Sequence, residues 1–275
     1  MSRKNPGLFE EYNQIIVEQS SPGIMSDVDP DKPVEIDHVI FLPHHPVIRG
    51  DKQTTKVRIV YGASVKSASP VLNDCPPAGP SLLADIPDVL MRFRYHRVAL
   101  AADIVKAFLM VRIKEADQDV LRFLWIDDPD NEHSNIVVKR LNRVVFGVAS
   151  SPFLLNATIR HHVTKYEAYH PQFVSDFLTS LHEDDFKRGK DSVPEAFQLH
   201  TKARSIMKEA GIHLRKWISS SERLMEWIDE EEGVPVKEMV KLSKEDGTEE
   251  YAHAENLWFR EIQQSLIKSH KKKRI

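Results

Sequence analysis

Two short stretches decide how this sequence is read: VALAADIVKAF at residues 98–108 and LHEDDFKR at residues 181–188. The first is a continuous rather than alternating apolar run, the pattern of a strand buried on both faces, and it carries Asp103 near its end. A bare charge in that position is costly unless something compensates it. The second places Asp184-Asp185 between apolar residues at 177–181 and the segment 186–188. That arrangement predicts a two-stranded hairpin with the acids at its turn. Each feature alone has an ordinary account, since Asp-Asp is common turn chemistry and a strand-end Asp can reach solvent. Only together do they point to one site.

Outward from these stretches, the periodicities predict a mixed fold. Leu8, Phe9, Tyr12, Ile15 and Ile16 predict a helix over 6–19. Residues 39–42 and 46–49 read as strands, and 56–61 alternates charged and apolar positions as a half-exposed strand does. The Pro/Gly-rich segment 72–80 reads as loop. Ser81 is placed to cap a helix running to Tyr95, interrupted near Pro87. Segments 121–126 and 136–145 predict a hairpin around the polar stretch 127–131. Ser151-Pro152 fits an N-cap followed by Pro at the first helical position. Ser192-Val193-Pro194-Glu195 is a capping box, with Gly211 at the helix stop. A strand over 212–217 follows. The order is strand, hairpin, helix, short hairpin, helix, strand, which predicts an α+β fold: a mainly antiparallel sheet with helices on one face.

Composition narrows the functional classes. The 275 residues are 41% hydrophobic and 29% charged, with 10 Gly and 16 Pro, which excludes collagen-like and wholly disordered chains. A single cysteine, Cys75, excludes an intrachain disulfide scaffold. No apolar segment is long enough to span a bilayer, and the first residues lack the apolar run of a signal peptide, so an intracellular setting, cytoplasmic or nuclear, is expected. The net charge of −3 hides a pattern. Residues 1–39 hold 3 Lys/Arg against 8 Asp/Glu, 222–250 hold 4 against 11, 251–275 hold 6 against 2, and 40–221 hold 25 against 20. A basic middle between acidic flanks is compatible with phosphate-bearing partners. His44-His45 and His161-His162 lack the spacing of a helical zinc site. Asn156-Ala157-Thr158 matches a glycosylation sequon but lies within a predicted helix. Lys271-Lys272-Lys273-Arg274 reads as a frayed basic tail.

Several motifs in this order resemble the reverse transcriptase region of a BEL/Pao-type LTR retrotransposon polyprotein. Asp103-Ile104-Val105-Lys106-Ala107-Phe108 is similar to the first catalytic motif of that family. Phe146-Gly147-Val148-Ala149-Ser150-Ser151-Pro152 resembles its template-and-nucleotide motif, and Leu181-His182-Glu183-Asp184-Asp185 stands where the family has Tyr-Val-Asp-Asp. Leu72-Asn73-Asp74-Cys75, Gly79-Pro80-Ser81-Leu82-Leu83 and Leu214-Arg215-Lys216-Trp217 add to the likeness, which covers roughly residues 40–220. The resemblance implies a right-hand polymerase fold with a fingers-like region at 39–97 and a palm-like catalytic region at 98–220. It leaves 1–38 and 221–275 without assigned structure and shows no recognisable thumb. It implies catalytic roles for Asp103, Asp184 and Asp185, with two Mg²⁺ ions (or Mn²⁺ in their place) held by Asp103, the Ile104 carbonyl and Asp184. Lys56, Arg58, Phe108 and Lys216 would bind nucleotide, Phe108 as a wall beneath the sugar. Phe146, Gly147, Ser151 and Pro152 would contact template and primer. The implied partners are an RNA or DNA template with its primer, and deoxynucleoside triphosphates.

The chain departs from the family pattern where the chemistry is most sensitive. His182-Glu183 replaces Tyr-Val, Phe186-Lys187-Arg188 replaces an apolar run, and Gly62 stands where an acid is expected. An extra charge from Glu183 beside a triphosphate would cost roughly 1–3 kcal/mol at an effective dielectric near 20. Lys187 and Arg188 are placed either to offset that charge or to unpair the second hairpin strand. These departures imply reduced or lost turnover. The alternative reading is therefore a non-catalytic nucleic-acid-binding remnant of the same fold, which would bind duplex yet ignore nucleotide. A protein-interaction module built on the acidic 222–250 segment is the third.

Overall fold

A computed structural model describes residues 6–29, 39–48, 57–65, 71–75, 77–126 and 134–233. Lys56 and the basic tail 271–274 lie outside the described residues. The elements run α1 (Pro6–Ser20), β1 (Met25–Asp27), β2 (His44–Ile48), β3 (Val57–Tyr61), α2 (Ile86–Tyr95), β4 (Val98–Ile104), β5 (Arg122–Ile126) and β6 (Ile136–Leu141). They continue with α3 (Ser151–Val163), α4 (Pro171–Leu178), β7 (Leu181–His182), β8 (Asp185–Lys190), α5 (Val193–Glu209), β9 (Leu214–Ser219) and α6 (Glu222–Glu232). The chain forms two compact units, each from separated stretches: Met1–Leu82 with Lys106–His162, and Leu83–Val105 with Val163–Ile275. This division is interleaved in sequence, unlike the linear 39–97 and 98–220 partition read from the motifs. Among the described residues, no helix is long and apolar enough to cross a membrane.

The first unit holds two antiparallel sheets, β1-β6-β5 and the β2–β3 pair. Helix α1 forms where its apolar spacing predicts and buries Tyr12 and Ile16 in a core with Met25, Phe123, Trp125 and Leu141. His44 is the polar centre of that core. Its Nδ1 sits 2.5 Å from the Tyr12 hydroxyl and its Nε2 2.9 Å from the Leu124 carbonyl. The ring lies edge-on to Phe123 with centroids 5.2 Å apart. Burial lowers the His44 pKa, which keeps the ring neutral, able to accept from Tyr12 and donate to Leu124. Residues 39–42 do not form the expected strand; Phe41 alone makes a bridge, to Arg122.

The second unit is a four-stranded antiparallel sheet in the order β7-β8-β4-β9. Both parities of β4 are buried, as its unbroken apolar text predicts. Ala99 and Ala101 pack with Phe93, Ile86 and Leu90 of α2. Gly189 lies on the same face, opposite Ala99, and a Cβ there would meet the Phe93 carbonyl at 3.0 Å. On the other face Phe186, opposite Ala102, stacks on Phe177 of α4 at 5.0 Å and contacts Trp217, which meets His200 of α5. Helices therefore cover both faces, correcting the one-face expectation. The sequence hides this because α2 precedes β4 and α4 was not foreseen.

Further boundaries differ from the sequence reading, and β6 ends at Leu141 rather than at 145. Helix α2 begins at Ile86 after Asp85, not at Ser81, and Pro87 falls in its first turn, where its missing N–H costs nothing. Ser151 does not cap α3; it is buried and its hydroxyl donates to the Val145 carbonyl at 2.6 Å. Residues 177–180 close helix α4 rather than forming a strand. Its Phe/Val content reads as β, but Pro171 starts a helix that buries Phe173, Val174, Asp176 and Phe177. The capping box of α5 forms as expected: Ser192 accepts from the Glu195 amide and Glu195 from the Ser192 amide. Gly211 follows with φ +70, the left-handed geometry of a helix stop.

Buried Asp176 explains how so polar a strand as β8 sits between two neighbours. Its carboxylate receives Arg188 and Lys190, each at 2.6 Å, on the Phe186 face. Lys187 and Arg188 thus do not unpair the second hairpin strand, since β8 stays paired with β4 from Lys190 to Asp185. Removing one partner of a buried ion network strands the others. Asp176→Ala is expected to cost about 2–4 kcal/mol, read as a lower denaturation midpoint in urea, whereas Asp88→Ala, an exposed i,i+4 partner of Arg92, should shift it little.

Candidate functional site

The acids separated in sequence meet at one end of the second unit's sheet. Asp103 on β4 is the register partner of Asp185 on β8. The Ile104 amide donates to the Asp184 carbonyl at 2.8 Å. Residues 104 and 184 therefore form a hydrogen-bonded pair, and 103 and 185 the adjacent non-hydrogen-bonded pair. In such pairs antiparallel side chains approach most closely, with Cβ atoms about 4.5–5.5 Å apart. Asp184 sits in the two-residue turn after Glu183, whose φ of 55 is the left-handed geometry that usually takes glycine at the first turn position.

Crowding shows in the titration of these groups. The Asp185 pKa is pushed up to about 6, chiefly by burial; Lys187 opposes the rise, and the neighbouring Asp184 and Asp103 carboxyls add to it. Asp184 keeps contact with solvent, yet the surrounding protein desolvates its carboxyl and raises its pKa, with Glu183 and Asp103 contributing.

Two lysines answer this charge in different ways. Lys187 is two residues beyond Asp185 on the same face of β8, and its Nζ lies 2.5 Å from Asp185 Oδ2. It is buried, with 5% of its side chain exposed. Lys216 reaches Asp103 Oδ2 at 3.0 Å from an exposed position, 76% of its side chain in solvent. The β4–β9 register slips between Ala101 and Asp103, leaving one extra residue on β9. Lys216 takes the left-handed conformation there, with φ 54. The bulge re-aims the side chain toward Asp103.

The remaining expected site residues belong to the first unit. Arg58 is exposed on β3. Phe108 lies on a short 3-10 turn after β4 and meets Phe146 edge-on at 5.7 Å, so it is neither a strand residue nor fully buried core. Gly147 has φ +100, and a Cβ there would stand 3.0 Å from the Tyr61 carbonyl; only glycine fits. Pro152 occupies the first turn of α3. The second unit holds Asp103, Ile104, Asp184, Asp185 and Lys216.

Three residues take structural roles that the sequence did not assign to them. Asn73 stitches the 146–149 loop, donating to the Gly147 carbonyl and Ser64 Oγ and accepting from the Ala149 amide. His182 is buried with Nδ1 3.1 Å from the Ala84 carbonyl, a polar anchor where a family tyrosine was expected. Lys187 carried a readable signal, because residues two apart on a strand share a face. Arg92 donates to the Thr179 carbonyl and to Asp88 inside its own unit.

The donor chemistry suits a hard divalent cation, since Asp103, Asp184 and Asp185 offer carboxylate oxygens and their mutual repulsion is what a cation would relieve. Among the described residues, however, no three His, Cys, Asp or Glu side chains converge as a ready metal-holding group. Replacing the strained bulge residue separates its backbone from its side-chain role. Lys216→Gly is expected to relieve about 1 kcal/mol of left-handed strain and raise the melting temperature by a few degrees. Lys216→Ala, which keeps the strain and loses the Asp103 contact, should melt no higher than wild type.

Comparison with known proteins places the fold. No protein-family model and no curated protein matches the chain. Among solved structures, it is similar to a foamy viral protease-reverse transcriptase (dRH) in complex with double-stranded DNA, with TM-score 0.54, 18% identity, and coverage of 74% of this chain and 30% of that one. A selenomethionine-labelled CSH mutant of the prototype foamy virus protease-reverse transcriptase aligns with TM-score 0.56 and 16% identity over 76% of this chain and 24% of that one. The chain thus spans about a quarter to a third of these neighbours' length. At such identity the likeness speaks for fold alone: a mixed helix and sheet fold with antiparallel sheets, of reverse-transcriptase type.

Proposed function

We propose that this chain is the fingers-and-palm part of a reverse transcriptase from a BEL/Pao-type retrotransposon polyprotein, acting inside the cell in the cytoplasm or nucleus. Its reaction is RNA-directed DNA synthesis: a deoxynucleoside triphosphate is added to the 3′-hydroxyl of a primer on an RNA or DNA template. The observation that carries this reading is the opposition of Asp103 and Asp185 across β4–β8, with Asp184 in the adjoining turn. Phosphoryl transfer asks a protein for little covalent chemistry and much charge placement, and a carboxylate cluster at an open sheet end supplies it. The neighbour that holds double-stranded DNA supports nucleic acid as the partner.

Each residue has a role in this reading. Asp103 and Asp184, with the Ile104 carbonyl, would hold Mg²⁺, whose chemistry there is to acidify the primer hydroxyl and stabilise the leaving pyrophosphate. Lys216, exposed and loosely held, can exchange Asp103 for a triphosphate oxygen. Lys56 and Arg58 grip phosphate, for which a guanidinium fork is suited. Phe108 would take the role that the motif resemblance implies for it, a wall beneath the sugar. Phe146, Gly147, Ser151 and Pro152 present backbone and ring to the template. The second reading, duplex binding without turnover, is favoured by the ion pairs that already occupy Asp103 and Asp185.

Primer extension with Mg²⁺ decides between them. The polymerase reading predicts slow, poorly processive extension that disappears in Asp184→Asn. Absence of extension, together with duplex binding that weakens as salt rises and ignores added nucleotide, would establish the remnant instead.

A further inference from the structure

The buried lysine on β8 has a consequence for what the acidic end can bind. Lys187 stands opposite Ala101, beneath Asp103 and Asp185 on one face of the sheet. Its Nζ contacts Asp185 Oδ2 at 2.5 Å, and only 5% of the lysine side chain and 25% of the aspartate side chain are exposed. The Lys216–Asp103 pair differs in kind, being 76% and 46% exposed. An exposed pair exchanges readily for another partner, whereas separating a buried one leaves an uncompensated charge. We propose that Lys187 is a built-in counter-cation that sequesters Asp185, so that divalent-ion binding is confined to Asp103 and Asp184 and lacks a third carboxylate.

This inference rests on the polymerase-like reading of the acidic site but concerns its ion stoichiometry and affinity. A lysine ammonium delivers one fixed charge through a tethered stem, while Mg²⁺ or Mn²⁺ requires several oxygens converging at short range. With Asp185 turned to Lys187, the described residues show no convergent group of three ligating side chains. Lysine here also replaces the apolar residue that the motif pattern leads one to expect, so the feature belongs to this chain's own sequence.

Mn²⁺ titration of metal-free protein, following free Mn²⁺ by electron paramagnetic resonance, tests the proposal without relying on activity. Lys187→Met is expected to bind Mn²⁺ at least about tenfold tighter than wild type, and the double variant Lys187→Met/Asp185→Asn should return to the wild-type value. Lys187→Gln, which also removes the charge, serves as the second variant should the first fail to fold, as judged by circular dichroism. Equal affinity in wild type and the Lys187 variants overturns the proposal, as does a gain that survives Asp185→Asn or Mn²⁺ binding to none of the forms. Parallel primer extension separates this from the functional reading. Tight Mn²⁺ binding by Lys187→Met with no extension by any form keeps the sequestration and removes the polymerase. Extension by wild type with unaltered Mn²⁺ affinity in Lys187→Met does the reverse.

Discussion

Two carboxylates face each other at a non-hydrogen-bonded position of an antiparallel ladder, and the second unit is arranged around that constraint. Directly opposed like charges destabilise a sheet, so the pair persists only with compensation nearby. Asp103 and Asp185 have two devices: Lys187 paired with Asp185 and Lys216 paired with Asp103. The bulge that aims Lys216 and the left-handed turn at Glu183 are local strains at this end of the sheet. Strain of this kind persists where surrounding structure over-determines it.

That structure is the ladder itself. β4 is buried on both faces, held by α2 on the Ala99/Ala101 side and by aromatic contacts through Phe186 on the other. A slip of one residue would turn Asp103 to the opposite face and break its facing with Asp185. β8 contributes differently. Its cations alternate between faces, Lys187 answered by Asp185, and Arg188 and Lys190 by Asp176. A polar strand is thereby kept central without leaving a buried charge alone.

The parts of this arrangement legible in the sequence are those set by local pattern. The apolar run ending at Asp103, the hairpin at Asp184-Asp185, the α5 capping box and the apolar spacing of α1 each follow from neighbours in the chain. Helix α4 was not legible, because Phe173, Val174 and Phe177 have strand-like propensity and their helix is held by tertiary contacts. Nor was the coverage of both sheet faces, which depends on where α2 folds back. At the site, the convergence of Asp103 with Asp184-Asp185 could be read only through the motif resemblance. Lys187 looked like a departure from pattern, and its role emerged from a side-chain contact that spacing permits but does not require. Asn73 joins segments more than seventy residues apart, and no local signal announces it.

Cross-strand disulfide trapping tests the facing of Asp103 and Asp185 most directly. In a Cys75→Ser background, the pair Asp103→Cys/Asp185→Cys occupies the position where opposed side chains come within reach of an S–S bond. The account predicts spontaneous oxidation, seen as loss of two thiols by mass spectrometry, while Asp103→Cys with Glu183→Cys stays reduced. Two persistently free thiols in the first pair, in a protein that retains its circular dichroism, would contradict it.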